Sequence, residues 1–255
     1  MEAAITAATS RPSRASVVRT WIGTSRGENG KTRVTFVWEP ILRPPGERNA
    51  GDEPARVSLI AASPDGSPYF RGKIEGAAAG SSAAGGAAAA ATAPKAPARV
   101  AFEAAPGKMQ LRVSVEGTGS QVLDTEIREI TVPDLTGGQT LLGTPELFRA
   151  RTAREFQVLK ADADPVTLAT REFSRTDRLV VRVPAYGTGG TPALKIHLLN
   201  RSGSAMSELT PTPSPKAGEQ QVDLALAGLA PGEYVLEIKA ADGDATELIG
   251  FRVIG

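Results

Sequence analysis

The stretch "APGEYVLEI", residues Ala230 to Ile238, has a counterpart upstream in "APGKMQLRV", residues Ala105 to Val113. In both, a proline with a fixed φ precedes a glycine that accepts positive φ, and such a pair forms a turn leading into a strand. The chain therefore contains the same turn-and-strand motif twice.

Tyr234 follows the glycine of the second motif by two residues. This placement resembles the tyrosine corner of Greek-key sandwiches, in which the hydroxyl bonds back to the backbone across the corner. The first motif has Met109 at the same place, so its corner would depend on packing alone. We interpret Tyr234 as a structural residue rather than a ligand contact.

Two further pairs of segments match in the same order along the chain. "TRVTFVWEP" at 32–40 parallels "DRLVVRVPA" at 177–185, and "RVSLIAASPDG" at 56–66 parallels "ALKIHLLNRSG" at 193–203. Three matches in one order are hard to obtain by chance, and they predict an internal duplication.

Apolar and polar residues alternate in many of the short runs. In "TRVTFVW" the side chains of Val34, Phe36 and Trp38 share one face, because successive side chains of a strand point to opposite sides. Strands are predicted at 16–22, 32–38, 56–61, 99–104, 109–115, 122–132, 146–150, 155–160, 178–184, 193–199, 221–227, 233–239 and 247–254. This spacing predicts an all-β chain of two tandem immunoglobulin-like or fibronectin-III-like antiparallel β-sandwiches.

A domain boundary is predicted where Pro133 and Asp134 precede the turn-forming Thr136-Gly137-Gly138. It divides the chain into one sandwich at 1–135 and a second at 136–255.

A Gly/Ala-rich segment at 75–98 interrupts the first sandwich. It has too little large apolar surface to offset the cost of ordering its backbone, and we interpret it as a flexible insertion between two strands. A poly-alanine helix is the alternative, which its glycines disfavour by about 1 kcal/mol each.

Composition excludes several classes of function. Lys+Arg 29 against Asp+Glu 28 leaves a formal net charge of +1, and no basic cluster is interleaved with aromatic residues, so nucleic acid is not expected as a partner. The absence of cysteine excludes disulfides, thiolate metal sites and cysteine nucleophiles. The sequence also lacks the apolar runs of a signal peptide or a membrane span.

His197 is the only histidine, so any Ser-His-Asp or metal-histidine site would need it. In "ALKIHLLN" it alternates with Leu194, Ile196 and Leu198, which predicts a histidine on the solvent side of a strand rather than a catalytic base. No phosphate-binding loop, nucleophile elbow or His-Glu-x-x-His motif is present. We therefore predict a protein that is not an enzyme, with no catalytic residue, metal or cofactor.

Two acidic groups are interpreted structurally. "ADADP" contains Asp162 and Asp164, and "ADGDATE" contains Asp242, Asp244 and Glu247. Neither has the full ligand spacing of an EF-hand. The second group predicts a hairpin turn, and weak divalent-cation binding is the alternative.

Arginines are dense in "LFRARTAREF" and "TREFSRTDRL", and the set comprises Arg149, Arg151, Arg154, Arg171, Arg175 and Arg178. Acidic residues are interleaved with them, which predicts solvated ion pairs across strands. A groove for an anion or a carbohydrate is the alternative.

Aromatic residues are the candidates for ligand contact. Trp21 and Trp38 are predicted to face each other across the first sandwich as core residues. If Trp21 were exposed beside Tyr69 and Phe70, the three would favour an aromatic strip that binds sugar or peptide. Tyr186 is the third candidate: exposed Trp21, Tyr69 or Tyr186 in a concave groove would favour a sugar, and flat exposed strand edges would favour a protein partner.

The segments "LFRARTAREFQVL", "LLNRSGSAMSEL" and "LALAGLAPGEYVLEI" resemble the C-terminal region of bacterial von Willebrand factor A-related proteins of the Acidobacteria type. "RTWIGTSRGENGKTRVTFVWEP" and "VLDTEIREITVPDL" resemble the region just before it. The Asp-x-Ser-x-Ser motif of the A domain's metal-dependent adhesion site is absent from this sequence. The resemblance implies an accessory β-sandwich part of a larger exported protein, in the periplasm or outside the cell.

These observations lead to one main hypothesis and two alternatives. The first is a pair of non-catalytic spacer and interaction modules that mediate protein–protein contacts or adhesion. The second is a pair of carbohydrate-binding or substrate-positioning accessory domains of an envelope enzyme, with a polysaccharide as partner. The third, an enzyme, would need a pocket joining His197 to a serine and a carboxylate.

Overall fold

The computed structural model describes residues 16–41, 53–76 and 97–255. In the first half the strands are β1 (Val18–Arg26), β2 (Thr32–Pro40), β3 (Pro54–Ala62), β4 (Pro68–Glu75), β5 (Ala98–Ala104), β6 (Gly107–Gly117) and β7 (Val122–Val132). They form two antiparallel sheets, ordered β1-β2-β5 and β4-β3-β6-β7. The buried side chains of both sheets form one cluster between them, which makes the first half a β-sandwich.

The second half contains ten strands and one α-helix. They are β8 (Leu141–Leu142), β9 (Glu146–Ala150), α1 (Ala153–Ala161), β10 (Glu172–Ser174), β11 (Arg178–Tyr186), β12 (Leu194–Asn200), β13 (Ala205–Leu209), β14 (Thr212–Pro213), β15 (Glu219–Ala225), β16 (Gly232–Ala240) and β17 (Thr246–Ile254). One sheet runs β14-β15-β11, with β8 and β9 both pairing with β11. The other runs β10-β17-β16-β12-β13, in which β10 is parallel to β17.

The predicted fold class is confirmed, because the chain folds as two fibronectin-III-like β-sandwiches in tandem. The three matched sequence segments also occupy the same places in the two topologies. β2 and β11 are the central strands of their sheets, β3 pairs with β6, and β12 pairs with β16.

The turns after β3 and β12 show the same equivalence at atomic detail. Gly66 donates its backbone N–H to the carbonyl of Ser63, and Gly203 donates in the same way to the carbonyl of Asn200. The φ angles of the two glycines are 88° and 86°. Both positions need glycine, since L residues with a side chain rarely adopt positive φ.

Tyr234 forms the corner that the sequence predicted. Its hydroxyl donates a hydrogen bond to the carbonyl of Ala230 at 2.8 Å. Met109, its counterpart, is fully buried in the first core. The two preceding glycines differ: Gly107 has a φ of 129°, whereas Gly232 is not among the described glycines with positive φ, so the expected left-handed turn forms only in the first copy.

Trp21 and Trp38 do not face each other across the sandwich, so that prediction is wrong. They lie on neighbouring strands of one sheet, where Trp21 pairs with Val37 and Trp38 pairs with Thr20. Paired residues share a face, and the two tryptophans therefore point to opposite faces. Trp38 is buried in the first core, and Trp21 lies on the outer face of the sheet.

The strand predicted at 155–160 is instead part of helix α1. Thr152 caps the helix by accepting the backbone N–H of Glu155 through its hydroxyl at 3.1 Å, while Glu155 accepts the backbone N–H of Arg151 at 2.7 Å. A Thr-x-x-Glu sequence is the signature of a capping box. Sequence reasoning missed this signal because it relied on the alternation of apolar and polar residues at 155–160. Phe156 faces inward from the helix onto β9 and β11.

Sequence reasoning also missed the strands β4, β8, β10, β13 and β14, which are short or lie at sheet edges. The Gly/Ala-rich segment at 75–98 lies outside the described residues except at its ends, which belong to β4 and β5. Within the described ranges, no helix has the length and apolar character needed to cross a membrane.

Candidate binding groove at the junction of the two sandwiches

The outer face of the β1-β2-β5 sheet is turned toward the second half of the chain. Strand pairing places Trp21, Val37 and Arg99 in one row across this face. Val37 points away from the first core yet is completely buried. A residue in that position is buried only when another part of the molecule covers the sheet.

One end of the junction is held by charged groups. Arg19 donates to a carboxylate oxygen of Glu172 at 2.5 Å. Glu39 accepts the backbone N–H of Ala169 at 2.7 Å. Burial raises the pKa of Glu39, an effect that the hydrogen bond from Ala169 and the positive charge of Arg149 partly offset.

The other end is held by backbone and hydroxyl groups. Thr24 and Thr144 exchange two bonds: the Thr24 N–H donates to the Thr144 hydroxyl at 3.0 Å, and the Thr144 N–H donates to the Thr24 carbonyl at 2.8 Å. The Arg26 N–H donates to the Tyr186 hydroxyl at 2.8 Å, and the Arg26 side chain donates to the Leu135 carbonyl at 2.9 Å. The Arg26 guanidinium also lies 4.3 Å from the centre of the Tyr186 ring, a cation–π geometry.

Between these ends, the two sandwiches enclose a groove of about 410 Å³. Its size falls within the range of small-molecule sites, about 300–1,000 Å³. The lining is mainly polar. It includes five cationic side chains and three carboxylates, namely Arg26, Arg33, Arg99, Arg182, Lys216, Glu146, Asp164 and Glu219.

Arg99 and Asp164 join the two sandwiches across this groove. Both terminal nitrogens of Arg99 donate to the Asp164 carboxylate, one of them at 2.9 Å. Arg99 also donates to the carbonyl of Pro165 at 3.2 Å. The Arg99 guanidinium lowers the pKa of Asp164 through these hydrogen bonds.

The wall of the groove on the second sandwich is built from three adjacent strands. Glu146 on β9 pairs with Arg182 on β11, and Arg182 pairs with Gln221 on β15. Glu219 lies two residues before Gln221 and therefore shares the same face. These side chains point away from the second core, on the face that helix α1 partly covers.

Two groups in this wall are buried with incomplete hydrogen bonding. Arg182 is 1% exposed and donates through Nη2 to the Leu159 carbonyl at 2.8 Å, but its Nε has no partner among the described residues. Glu219 is 6% exposed; one oxygen lies 2.7 Å from the Lys216 nitrogen, and the other has no partner in the described part of the chain. Such atoms are rare in native structures, because burying a polar group without a partner costs about 1–3 kcal/mol.

Glu146 is the most strongly perturbed acid in the groove. Burial, and after it the negative charge of Glu219, raises the pKa of Glu146 to about 7. The positive charges of Lys216, Arg99 and Arg182 act in the opposite direction. Burial opposes the charge on Lys216, but the hydrogen bond to Glu219 together with the negative charges of Glu219 and Glu146 outweighs it and raises the pKa of Lys216.

The structure separates the three aromatic candidates. Tyr186 lines the groove, with one face of its ring covered by Arg26. Trp21 lies flat along the outer face of β1, so close to Gly23 that a Cβ there would meet its ring at 2.0 Å. Tyr69 is on the opposite sheet and packs against the first core. Trp21 and Tyr69 therefore do not form a strip, and the ligand-contact role of all three residues stays a prediction.

His197 is half-buried on β12, and its Nδ1 lies 3.7 Å from a carboxylate oxygen of Glu237 on the neighbouring strand. No serine hydroxyl bonds to it within the described ranges. The second acidic group forms the hairpin turn between β16 and β17, as predicted, with a φ of 132° at Gly243. Asp162 ends helix α1, and Asp164 belongs to the junction.

The arginine-rich segments form a cross-strand ion pair at Arg178, as predicted, but not the alternative groove. Arg178 lies 3.4 Å from Asp223 across adjacent strands and 3.8 Å from the centre of the Phe156 ring. Arg171 instead donates to the carbonyls of Leu168 and Thr170, and burial lowers its pKa to about 10. None of the six predicted arginines lines the groove.

The groove residues Glu146, Arg182 and Glu219 were missed by sequence reasoning. Arg182 is a charged residue in the outward register of "RLVVRVP", where solvent exposure is the ordinary expectation. A long charged side chain inside an otherwise apolar strand was the one signal that could have marked it. For Glu146 and Glu219 the sequence offered no such signal, since their burial depends on the junction.

The sequence matches no protein-family model and no curated protein. Among solved structures, it is similar to the fibronectin(III)-like modules of CbhA from Clostridium thermocellum, at 12% identity and a TM-score of 0.24, over 92% of this chain and 93% of that chain. It is also similar to the BSP domain of a biofilm-associated protein, at 8% identity and a TM-score of 0.27, over 98% of this chain and 54% of the other. For the adhesin InvE of Yersinia pseudotuberculosis the identity is 12% and the TM-score 0.25, over 92% of this chain and 59% of that one. These likenesses concern the fold alone.

Proposed function

We propose that this chain is a rigid pair of non-catalytic fibronectin-III-like modules, which serves as a spacer and a protein-interaction unit of an exported bacterial protein. The junction is the observation that supports this proposal best. Contacts at both ends of the β1-β2-β5 face connect it to the second sandwich, through Arg19, Thr24 and Arg26. A change in the angle between the sandwiches would break several of these contacts together.

Two edge strands provide surfaces for a protein partner. β7 pairs only with β6, and β13 pairs only with β12, among the described strands. Both carry exposed apolar side chains: Val122 is 63% exposed, Ile127 is 55% exposed and Met206 is 49% exposed. Unpaired strand edges can accept a strand from another chain, and apolar side chains beside them add contact area.

The exported setting is supported by the resemblance to bacterial von Willebrand factor A-related proteins. In that setting the two sandwiches would hold a neighbouring domain at a fixed distance and orientation from the cell envelope. The proposed partner is a protein docked on the edges of β7 and β13.

Distance measurement by electron paramagnetic resonance tests the rigidity of the junction. The chain has no cysteine, so Arg71→Cys on β4 and Glu208→Cys on β13 place one spin label on each sandwich. We expect a single narrow distance distribution between the two labels. Adding Arg26→Ala and Thr144→Val should broaden it. The first change removes the stacking of the guanidinium on Tyr186 and its hydrogen bond to the Leu135 carbonyl, and the second removes the hydroxyl that accepts the Thr24 N–H.

Arg112→Ala is the control, since Arg112 is an exposed residue on β6 that is not part of the junction. The control should leave the distribution narrow. A broad distribution in the doubly labelled parent chain would contradict the proposal of a rigid spacer.

A carbohydrate-binding role is the second candidate function. The observation that favours it is the polar groove between the sandwiches, with Tyr186 in its lining.

A further inference from the structure

We infer that the junction groove binds a carboxylated sugar, such as a uronic acid unit of an acidic polysaccharide. This inference deepens the second candidate function and rests on it. The charges around the groove and the polar side chains of its lining support it.

The charges of the groove favour an anionic ligand. Five cationic side chains line it against three carboxylates, so cations exceed acids by two when every group is ionised. Arg99 and Asp164 neutralise each other through their paired hydrogen bonds. Arg33 and Lys216 are exposed at the groove; Lys216 is paired with Glu219, whereas Arg33 makes no ion pair with any described residue. Guanidinium and ammonium groups in such positions are the usual binders of carboxylates.

The polar lining favours a ligand with several hydroxyl groups. Ser25, Thr35 and Tyr186 contribute hydroxyl groups to it. By contrast, the Nε of Arg182 and the oxygen of Glu219 that lack a partner among the described residues are fully buried behind the lining. Glu146 lies beside Arg182 and carries a proton under neutral to mildly acidic conditions, so it can donate as well as accept. Hydroxyl groups of a sugar ring donate and accept within a short distance, which matches this arrangement.

The two central strands of the groove offer nothing to an extended peptide. β2 is paired on both sides by β1 and β5, and β11 is paired on both sides by β15 and β9, so their backbone groups are not available for the edge hydrogen bonds by which peptides bind to sheets. β5 and β9 are edge strands among the described residues, and a peptide probe therefore belongs in the test. The remaining lining consists of small side chains, such as Ala101, Ala163 and Ala217, which form no apolar anchor pocket.

The groove also predicts how binding depends on pH. The charged groups that face Glu146 are Glu219, Lys216, Arg99 and Arg182. As pH rises through about 7, Glu146 loses its proton, which removes a donor and adds a negative charge beside an anionic ligand. We expect the affinity to fall over this range.

Isothermal titration calorimetry on the full chain tests the inference directly. The probes are short oligomers of galacturonic, glucuronic and mannuronic acid at pH 6, with a neutral galactose oligomer of the same length for comparison. We expect at least one acidic oligomer to bind, at least tenfold more tightly than the neutral one. Arg33→Gln should weaken this binding at least tenfold, and repetition at pH 8 should also weaken it.

Arg71→Gln is the matched control, because it removes an exposed arginine from β4, on the far sheet of the first sandwich. It should leave the affinity unchanged, and circular dichroism should show both variants folded. Failure of all three acidic oligomers to bind would overturn the inference. Equal affinity for the neutral oligomer, equal loss in the two arginine variants, or tighter binding of a tri-glutamate peptide would overturn it too.

Discussion

The two sandwiches use the same central strand in different surroundings. Val37 on β2 and Arg182 on β11 are aligned in the matched segments, and both point away from their own core. Val37 is buried against the second sandwich, and Arg182 is buried beside helix α1, whose Leu159 carbonyl accepts its hydrogen bond. The two matched strands thus share a buried apolar inner face, while the cover of their outer faces differs between the two sandwiches.

This difference between the outer faces explains why the buried charged residues of the groove, Arg182 and Glu219, belong to the second sandwich. In the first copy an apolar side chain meets the partner sandwich. In the second copy the same register holds a charged one, which needs hydrogen-bond partners when it is buried.

The largest expected effect comes from the inner face. Phe36 and Val181 are aligned and fully buried. Phe36→Ala should destabilise the first sandwich by about 3–5 kcal/mol, and Val181→Ala should destabilise the second by about 2 kcal/mol, because fewer atoms are removed. Urea unfolding of the two variants measures these losses of stability. The two tryptophans lie in the first sandwich, so their fluorescence reports the unfolding of that sandwich alone. Equal losses of stability in the two variants would contradict the expectation that the loss grows with the number of buried atoms removed.

The next effect concerns the groove and its dependence on pH. Burial raises the folded-state pKa of Glu146 to about 7 from its ordinary value of 4.5. Between these values the folded protein binds more protons than the unfolded chain, so its stability falls as pH rises through this window. At about 1.4 kcal/mol per pKa unit, the loss approaches about 3 kcal/mol by pH 8.

Glu146→Gln should remove this fall, so the variant should gain stability over the parent chain between pH 5 and about pH 8. Thermal unfolding at a series of pH values measures the difference. Glu126→Gln, an exposed site on β7, is the control and should show no such trend. A difference that does not change with pH would rule out the proposed titration.

The smallest effect concerns the corner that distinguishes the two copies. Tyr234→Phe removes the hydrogen bond to Ala230 and should cost the second sandwich about 1 kcal/mol. Tyr69→Phe is the control, because the Tyr69 hydroxyl makes no hydrogen bond within the described ranges and the change should be nearly neutral. Equilibrium unfolding followed by circular dichroism compares the two variants, and equal costs would show that the corner bond contributes nothing of its own.

The fold could be read from the sequence where the signal was local and the register clear. Alternation around Phe36 and the repeated Pro-Gly motif predict the central strands. The position of Tyr234 predicts the tyrosine corner, which its hydrogen bond to the Ala230 carbonyl forms. Helix α1 was misassigned because the cap at Thr152 was overlooked in a short alternating run. Trp21 and Trp38 point to opposite faces because of the register in which β1 pairs with β2. That register cannot be predicted from the sequence of either strand alone.

Tyr186 is the one residue of the three predicted ligand contacts that lines the groove. Glu146, Arg182 and Glu219 were not identified at all. Each has the ordinary appearance of a solvent-facing residue on a strand, and its burial comes from helix α1 or from the other sandwich. Alternation shows which face a side chain is on, but it does not show what covers that face.

Local sequence patterns are enough to predict two related β-sandwiches, because strand alternation, turn residues and the repeated motifs depend on neighbours a few positions apart. The folded chain sets how the sandwiches meet, which charges lie between them and which carboxyl group holds its proton near neutral pH. Those properties depend on desolvation and on contacts between residues far apart in the chain.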